Sequence, residues 1–330
     1  VKTETLSAIT DRAAAVGRAV ELLRQGEAIA LPTETVYGLA ADALREDAVL
    51  KVFEAKSRPR FDPLILHLPE ADWVERVTVI DDGGRQIFNE LHKRFWPGPL
   101  TFIFPRHPSV SDLVTAGLET VAVRLSAHPV FAEIVRTFGG PLAAPSANRF
   151  GRISPTDAAH VRDELDGLIP LIVDAGPTTH GLESTIIALR NGRIEILRRG
   201  PVTQEQLAEF GEVSIAGPTL HPEAPGQLPA HYAPRTPLIL VDDASAFACP
   251  DGKRCGLLGW KTEAIDRFAE IRRLSKRHDV ADAARNLFRC LRELDNQRLD
   301  VIVAEKLPEE GLGAAINDRL RRATTRNEAK

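Results

Sequence analysis

The 330-residue chain contains no methionine and only three cysteines, Cys249, Cys255 and Cys290. Nothing in the sequence explains the missing methionine. The cysteines are odd in number and form no C-x-x-C pair. This argues against a structural zinc and for a reducing compartment, the cytoplasm. No apolar run approaches the ~20 residues of a membrane span, so no membrane role is expected. The first twelve residues lack an apolar signal core, an expectation against secretion. No G-x-x-x-x-G-K-[ST] loop occurs, and Gly311-Leu312-Gly313 lacks the third glycine of a dinucleotide fingerprint. A bound nucleotide would therefore be held without a P-loop. There is also no G-x-S-x-G, no metal-ligand cluster and no nucleophile paired with a base. Neither sign of charge dominates. A total of 42 Lys and Arg against 46 Asp and Glu leaves a formal net charge of −4. That excludes a surface basic throughout, but not a local basic cleft.

Hydrophobic residues make up 43% and charged residues 27%, as in an ordinary globular protein. The length favours two domains over one. The organising stretch runs from Leu31 to Leu68. Glu27 to Leu31 reads as a short apolar strand stopped by Pro32. Thr33-Glu34-Thr35-Val36-Tyr37-Gly38 then places hydroxyls, a carboxylate and a phenol at a strand's carboxyl end, where open α/β sheets keep ligands. A helix from Asp47 to about Lys56 leads to Lys56-Ser57-Arg58-Pro59-Arg60-Phe61-Asp62-Pro63. Three cations held in one turn need a shared anion, phosphate being the usual one. A lone K-x-R-P also reads as a solvated proline loop. Pro63 to Leu68 is a strand carrying His67, which has a structural and a ligand reading.

Elsewhere the pattern alternates helices and strands. Thr10 or Asp11 caps a helix that Gly26 ends. Gly84 to Phe95 is a helix entering the rigid turn Trp96-Pro97-Gly98-Pro99. Thr120 to Leu125 is a strand in which Arg124 sits among apolar neighbours, so it must reach solvent or meet an anion. Pro145-Ser146-Ala147-Asn148 ends another strand, either as a helix cap or, with Gly151 and Ser154, as a polar loop. Asn191-Gly192 between two β-rich runs marks a hairpin. Residues 213–237 are proline-rich and read as a linker between a domain at 1–212 and a second α/β unit at 238–330.

Pro32-Thr33-Glu34-Thr35-Val36-Tyr37-Gly38-Leu39, the K-x-R-P-x-x-x-P-L run and the histidine after it resemble the YrdC-like threonylcarbamoyl-AMP synthases. Trp96-Pro97-Gly98-Pro99, Ser146-Ala147-Asn148, Gly181-x-Glu183-Ser184-Thr185-Ile186 and Leu197-Arg198-Arg199-Gly200 match the same pattern. The likeness is almost continuous from about residue 15 to about residue 210. His231-Tyr232-Ala233-Pro234 and residues 304–320 resemble the linker and second domain of the long form. Ala224, Leu228 and Pro229 depart from the family's linker.

The resemblance implies a YrdC-like twisted mixed sheet with helices, joined by the linker to a smaller Rossmann-like α/β domain. It implies a nucleotidyltransferase. L-threonine takes up bicarbonate or CO2, the carbamate attacks the α-phosphate of ATP, and pyrophosphate leaves. Mg²⁺ would come with ATP. The partners implied are ATP, L-threonine, bicarbonate or CO2 and a downstream complex that passes the threonylcarbamoyl group to tRNA, with tRNA itself a further candidate. By the same resemblance, Lys56, Arg58 and Arg198 are the catalytic, phosphate-holding cations. Thr35, His67, Arg124, Ala144 and Ser184 contact threonine. Asp62, Thr120, Ser146, Asn148, Ser154 and Tyr232 join the three cations around ATP, with Tyr232 part of a linker that closes as a lid. Two other readings were weighed. One is a non-catalytic RNA-binding module using Lys56, Arg58, Arg60, Arg149 and Arg152. The other is a carbamoyl transferase of hydrogenase maturation, whose chains carry zinc-binding C-x-x-C pairs that are missing here.

Overall fold

Short apolar runs bounded by glycine and proline pair into two sheets. The computed structural model describes residues 1–217, 222–262 and 266–325. Eleven strands form the first sheet: β1 (Glu4–Ser7), β2 (Ile29–Leu31), β3 (Gly38–Asp42), β4 (Ile65–His67), β5 (Leu100–Pro105), β6 (Thr120–Arg124), β7 (Leu142–Ala143), β8 (Leu171–Asp174), β9 (Thr185–Arg190), β10 (Arg193–Arg198) and β11 (Val213–Ile215). Their spatial order is β1-β8-β2-β3-β7-β4-β6-β5-β9-β10-β11, with parallel and antiparallel pairs mixed. The second sheet holds β12 (Leu238–Val241), β13 (Cys255–Gly259), β14 (Glu270–Arg273) and β15 (Val301–Glu305) in the order β12-β15-β13-β14, all parallel.

Helix boundaries follow local chemistry. Asp11 accepts the N–H of Ala14 at 3.0 Å and opens the helix Arg12–Arg24. The helix Glu46–Lys56 ends at Ser57, which takes a left-handed φ of 50° before Pro59 is reached. The hairpin residues Asn191 and Gly192 have φ of 53° and 71°, as the sequence pair demands. Three strands escape the sequence reading. Glu4–Ser7, ahead of the first helix, pairs parallel with β8. Gly38–Asp42, taken there as part of a polar turn, pairs antiparallel with β2. Val213–Ile215 pairs parallel with β10, so the first sheet extends into the stretch expected as linker. Strands of three to five residues carry too little periodicity to show in sequence.

In the first domain's core Phe88 packs edge to face on Trp96, Phe102 and Phe104, with Trp96 Nε1 donating to Leu100 O at 2.7 Å. The second domain's core does not close on itself. Phe288, Leu287 and Leu291 of the helix Val280–Asp295 form one cluster with Val36, Ile153 and Leu182 of the first domain and Tyr232 of the linker. Polar ties flank it. Arg292 donates to Glu164 Oε1 at 3.2 Å and to Ile153 O, while Asp295 accepts the N–H groups of Arg235 and Thr236. Among the described residues, no helix is long and apolar enough to cross a membrane.

A shared core makes the two domains one cooperative unit. Calorimetry should show a single unfolding transition. Phe288→Ala should lower stability by about 3–5 kcal/mol without splitting that transition, and two separated transitions would contradict the shared core.

Candidate active site

The carboxyl end of β4 and the strands beside it set the site. Register pairs His67 of β4 with Arg124 of β6, and Arg124 with Thr101 of β5, so three polar side chains stand side by side. Thr101 Oγ1 lies 2.7 Å from the Ser184 hydroxyl just before β9. The Thr33–Val36 turn faces them. Thr33 donates its hydroxyl proton to Val36 O at 2.6 Å and accepts the N–H groups of Thr35 and Val36. In its 2.8 Å contact with Thr33, the Thr35 hydroxyl is therefore the donor.

Arg124 is 3% exposed. It donates to Gly98 O through Nε at 3.2 Å, to Thr35 Oγ1 through Nη1 at 2.9 Å and to Glu34 Oε1 through Nη2 at 2.6 Å. Of a guanidinium's five N–H groups, two remain for a ligand. The strand arginine thus meets its anion inside the protein. Glu34, with Ser126 on its second oxygen, escaped the sequence reading because it looked like one more turn residue. Burial alone would raise the Glu34 carboxyl, but Arg124 and Ser126 hold it down at about 2. His67 is buried against Phe131, and its Nδ1 has no protein partner among the described residues. Burial, then the charge of Arg124, pushes its pKa down to about 3, so the ring is neutral.

The cations expected to hold phosphates, Lys56, Arg58 and Arg198, are equally buried. Arg58 donates to Asp62 O and Pro63 O, and its Nη2 lies 2.8 Å from Asp62 Oδ2, off the hydrogen-bond axis. Arg198 donates to Ser184 O and Ser184 Oγ, both at 3.0 Å, and to Pro225 O at 3.1 Å. Burial draws Arg198 down to about 10, which leaves it charged. Lys56 has its ammonium on Ser146 O and Asn148 O, and burial followed by Arg58 lowers its pKa well below the lysine range.

Thr35, His67, Arg124, Ala144, Ser184, Arg58, Ser146, Arg198 and Tyr232 line one cavity, with Glu183 and Gly226 also on its wall and about 520 Å³ of atom-free space. Lys56, Asp62, Asn148 and Ser154 do not line it and stand behind the wall. Asn148 is no helix cap. Its amide bonds Arg149 O and Arg152 O, whereas the next helix, Ala158–Leu165, is capped by Asp157. Ser154 donates to Glu183 Oε1. Thr120 begins the strand that Arg124 ends, roughly 13 Å away at ~3.3 Å per residue, and it is not on this wall. Of the five cations expected on a basic RNA face, Lys56 and Arg58 are buried and only Arg60 and Arg149 are exposed, with Arg152 between.

The linker forms the cavity's outer wall. Tyr232 is 1% exposed at a left-handed φ of 63°, stacks on Phe288, and its phenol oxygen has no partner among the described residues. Gly226 has φ of 84°, and a Cβ there would lie 2.7 Å from that phenol oxygen and 3.0 Å from Arg198 Cδ. Only glycine lets the chain pass. Arg319, from the second domain's last helix, Gly311–Thr324, also reaches the site and had no signal in sequence. It donates to Glu183 Oε2 at 2.9 Å and sits 5.1 Å from the Tyr232 ring centre.

Comparison with known proteins gives a consistent picture. Residues 21–200 match a family described as "Telomere recombination", and residues 202–325 match one described as "Threonylcarbamoyl-AMP synthase, C-terminal domain". The threonylcarbamoyl-AMP synthase of Bacillus subtilis is 39% identical, covering 93% of this chain and 92% of that protein. Its Pyrococcus abyssi counterpart is 39% identical over 93% of each chain. The solved structure of P. abyssi Sua5 complexed with L-threonine superposes with a TM-score of 0.88 at 36% identity, covering 98% of both chains.

The His67 shift has a consequence for stability. The unfolded chain binds a proton near pH 6.5 that the folded chain refuses until about pH 3. Stability is therefore full above about 6.5 and is lost as pH falls toward 3. Four other histidines, at 128, 160, 180 and 231, shift the same way. In urea denaturation between pH 4.5 and 6.5, His67→Gln should flatten the slope by up to one proton, ~1.4 kcal/mol per pH unit. An unchanged slope would show that His67 titrates freely.

Proposed function

The chain belongs to the two-domain threonylcarbamoyl-AMP synthase family, and from that premise we propose that it joins L-threonine, bicarbonate or CO2 and ATP into threonylcarbamoyl-adenylate, releasing pyrophosphate. The observation that carries this reading is the state of Arg198. It is buried, held by carbonyls and a hydroxyl, and forms no ion pair with a carboxylate among the described residues. A desolvated cation without a counter-ion, facing a cavity, is a site for an anion. Arg124, on the same cavity, keeps two N–H groups suited to a carboxylate fork. One cavity therefore offers places for two anions.

The roles follow from this chemistry. The threonine carboxylate takes the free edge of Arg124. Thr35 and His67 contact the amino acid, and the neutral ring puts no positive charge beside its amine. The amine adds CO2 and loses a proton, giving a carbamate. One carbamate oxygen forms a bond to the α-phosphorus as the bond to the β-phosphate oxygen breaks, and pyrophosphate carries away the electron pair. Arg58 and Arg198 bring two mutually repelling anions into contact and stabilise charge on the phosphoryl oxygens. No side-chain nucleophile is needed, and the wall offers none paired with a base.

The carboxylates at the site, Glu34 and Glu183, are each spent on an arginine and a serine. They do not fit a resident metal, so magnesium would arrive with the triphosphate, held by its oxygens and water. The downstream transfer to tRNA belongs to a partner enzyme.

Pyrophosphate release should depend on both L-threonine and bicarbonate, with serine and no-amino-acid reactions as controls. Arg124→Ala should lower kcat/KM at least ~100-fold, the worth of a charge-assisted pair of ~3 kcal/mol. Threonine-independent release, or none from the folded wild type, would overturn the proposal.

A further inference from the structure

The second domain reaches a residue of the cavity wall, Glu183, through a buried cation. Arg319 is 1% exposed and is the largest fully buried side chain among the described residues. Its Nε donates to Glu183 Oε2 at 2.9 Å, its Nη2 to Arg199 O at 2.8 Å and its Nη1 to Asp318 Oδ2 at 3.0 Å. These partners are not scattered. Glu183 precedes β9, Arg199 follows β10, and the two strands form one antiparallel hairpin. Arg319 thus bridges the open end of the hairpin that carries Ser184 and Arg198. The strand ends come close there, since a Cβ on Gly200 would lie 2.5 Å from Glu183 O.

Glu183 presents a difficulty that this bridge resolves. It is a carboxylate on the wall of a cavity whose other charged groups attract anions. Unpaired, it would repel a triphosphate and compete for Arg198. We infer that Arg319 is the positioning residue through which the second domain neutralises Glu183 and keeps Arg198 free for the nucleotide. This rests on the synthase reading for the identity of the nucleotide. It adds a reason why the catalytic domain needs the second one: the counter-charge of its own wall comes from the helix Gly311–Thr324.

The test compares full-length wild type, Arg319→Lys, Arg319→Met and the double variant Glu183→Gln/Arg319→Met. Two readouts are taken, steady-state kinetics and Mg-ATP binding by calorimetry. Arg319→Met should raise KM and Kd for ATP roughly tenfold or more, with KM for threonine changed less than about twofold. Removing both charges should bring the ATP values back to within about threefold of wild type, because a neutral pair no longer opposes the triphosphate. Arg319→Lys keeps the charge and should lose far less than Arg319→Met. If Arg319→Met does not melt cooperatively, the lysine and double variants carry the test, since a missing pair is tolerated better than a broken one. A double variant as impaired for ATP as Arg319→Met, a lysine variant as impaired as Arg319→Met, or a parallel rise in both substrate constants would overturn the inference. Binding of Mg-ATP by a wild type that releases no pyrophosphate would sink the synthase reading while leaving the role of Arg319 measurable.

Discussion

Burying several like charges beside one another is the constraint on which the rest of this structure depends. Lys56, Arg58, Arg124 and Arg198 are all less than a tenth exposed. Each must recover its lost hydration from oxygens of the protein. Arg58 finds two carbonyls and Asp62, Arg124 finds Glu34 and Gly98 O, and Lys56 finds the carbonyls of Ser146 and Asn148. These needs dictate how the loops lie. The Ser146–Asn148 loop turns its carbonyls inward because an ammonium waits there, and Asp62 is trapped behind Arg58 rather than exposed in the proline turn. Arg198 differs in having carbonyls and a hydroxyl but no carboxylate. The charges of Arg58 and Arg124 are balanced by Asp62 and Glu34, whereas no carboxylate among the described residues pairs with Arg198, which leaves a surplus positive charge on that part of the cavity wall.

The same constraint explains which parts of the site could be read from sequence. Residues whose place on the cavity wall follows from their own chemistry at a strand end or turn were legible: Arg124 amid valines, Arg58 of the K-x-R-P turn, His67 closing its strand. Their counterparts were not. Glu34 and Glu183 sit inside motifs that were recognised, yet nothing local says which arginine each one meets, because the partners lie 90 and 136 residues away. The division between wall and support was also invisible. Lys56 and Arg58 are two residues apart, but the helix end at Ser57 turns one toward backbone carbonyls and the other toward the cavity. Fold class was legible for the strands with strong apolar runs. It failed for β1, β3 and β11, where pairing with neighbours rather than composition makes the strand.

The second domain is the part where topology alone misleads. Open parallel sheets usually bind ligands beyond the carboxyl ends of their strands. Here the carboxyl end of β15 carries Glu305, which is fully buried. Its carboxylate accepts the N–H groups of Ala244 at 3.0 Å, Trp260 at 2.7 Å, Lys261 at 2.8 Å and Thr262 at 3.0 Å, as well as the Thr262 hydroxyl. A ring of backbone donors at that position is what a phosphate would use, and the chain fills it with a side chain of its own. The sheet's usual ligand position is thus consumed in holding its own loops together. The domain presents to its neighbour the helices Val280–Asp295 and Gly311–Thr324, and Phe288, Arg292, Asp295 and Arg319 are among the side chains that cross from them. A Rossmann-like unit whose ligand edge is self-occupied, and whose helices pack on residues of another domain's cavity, supports the wall of that cavity from behind.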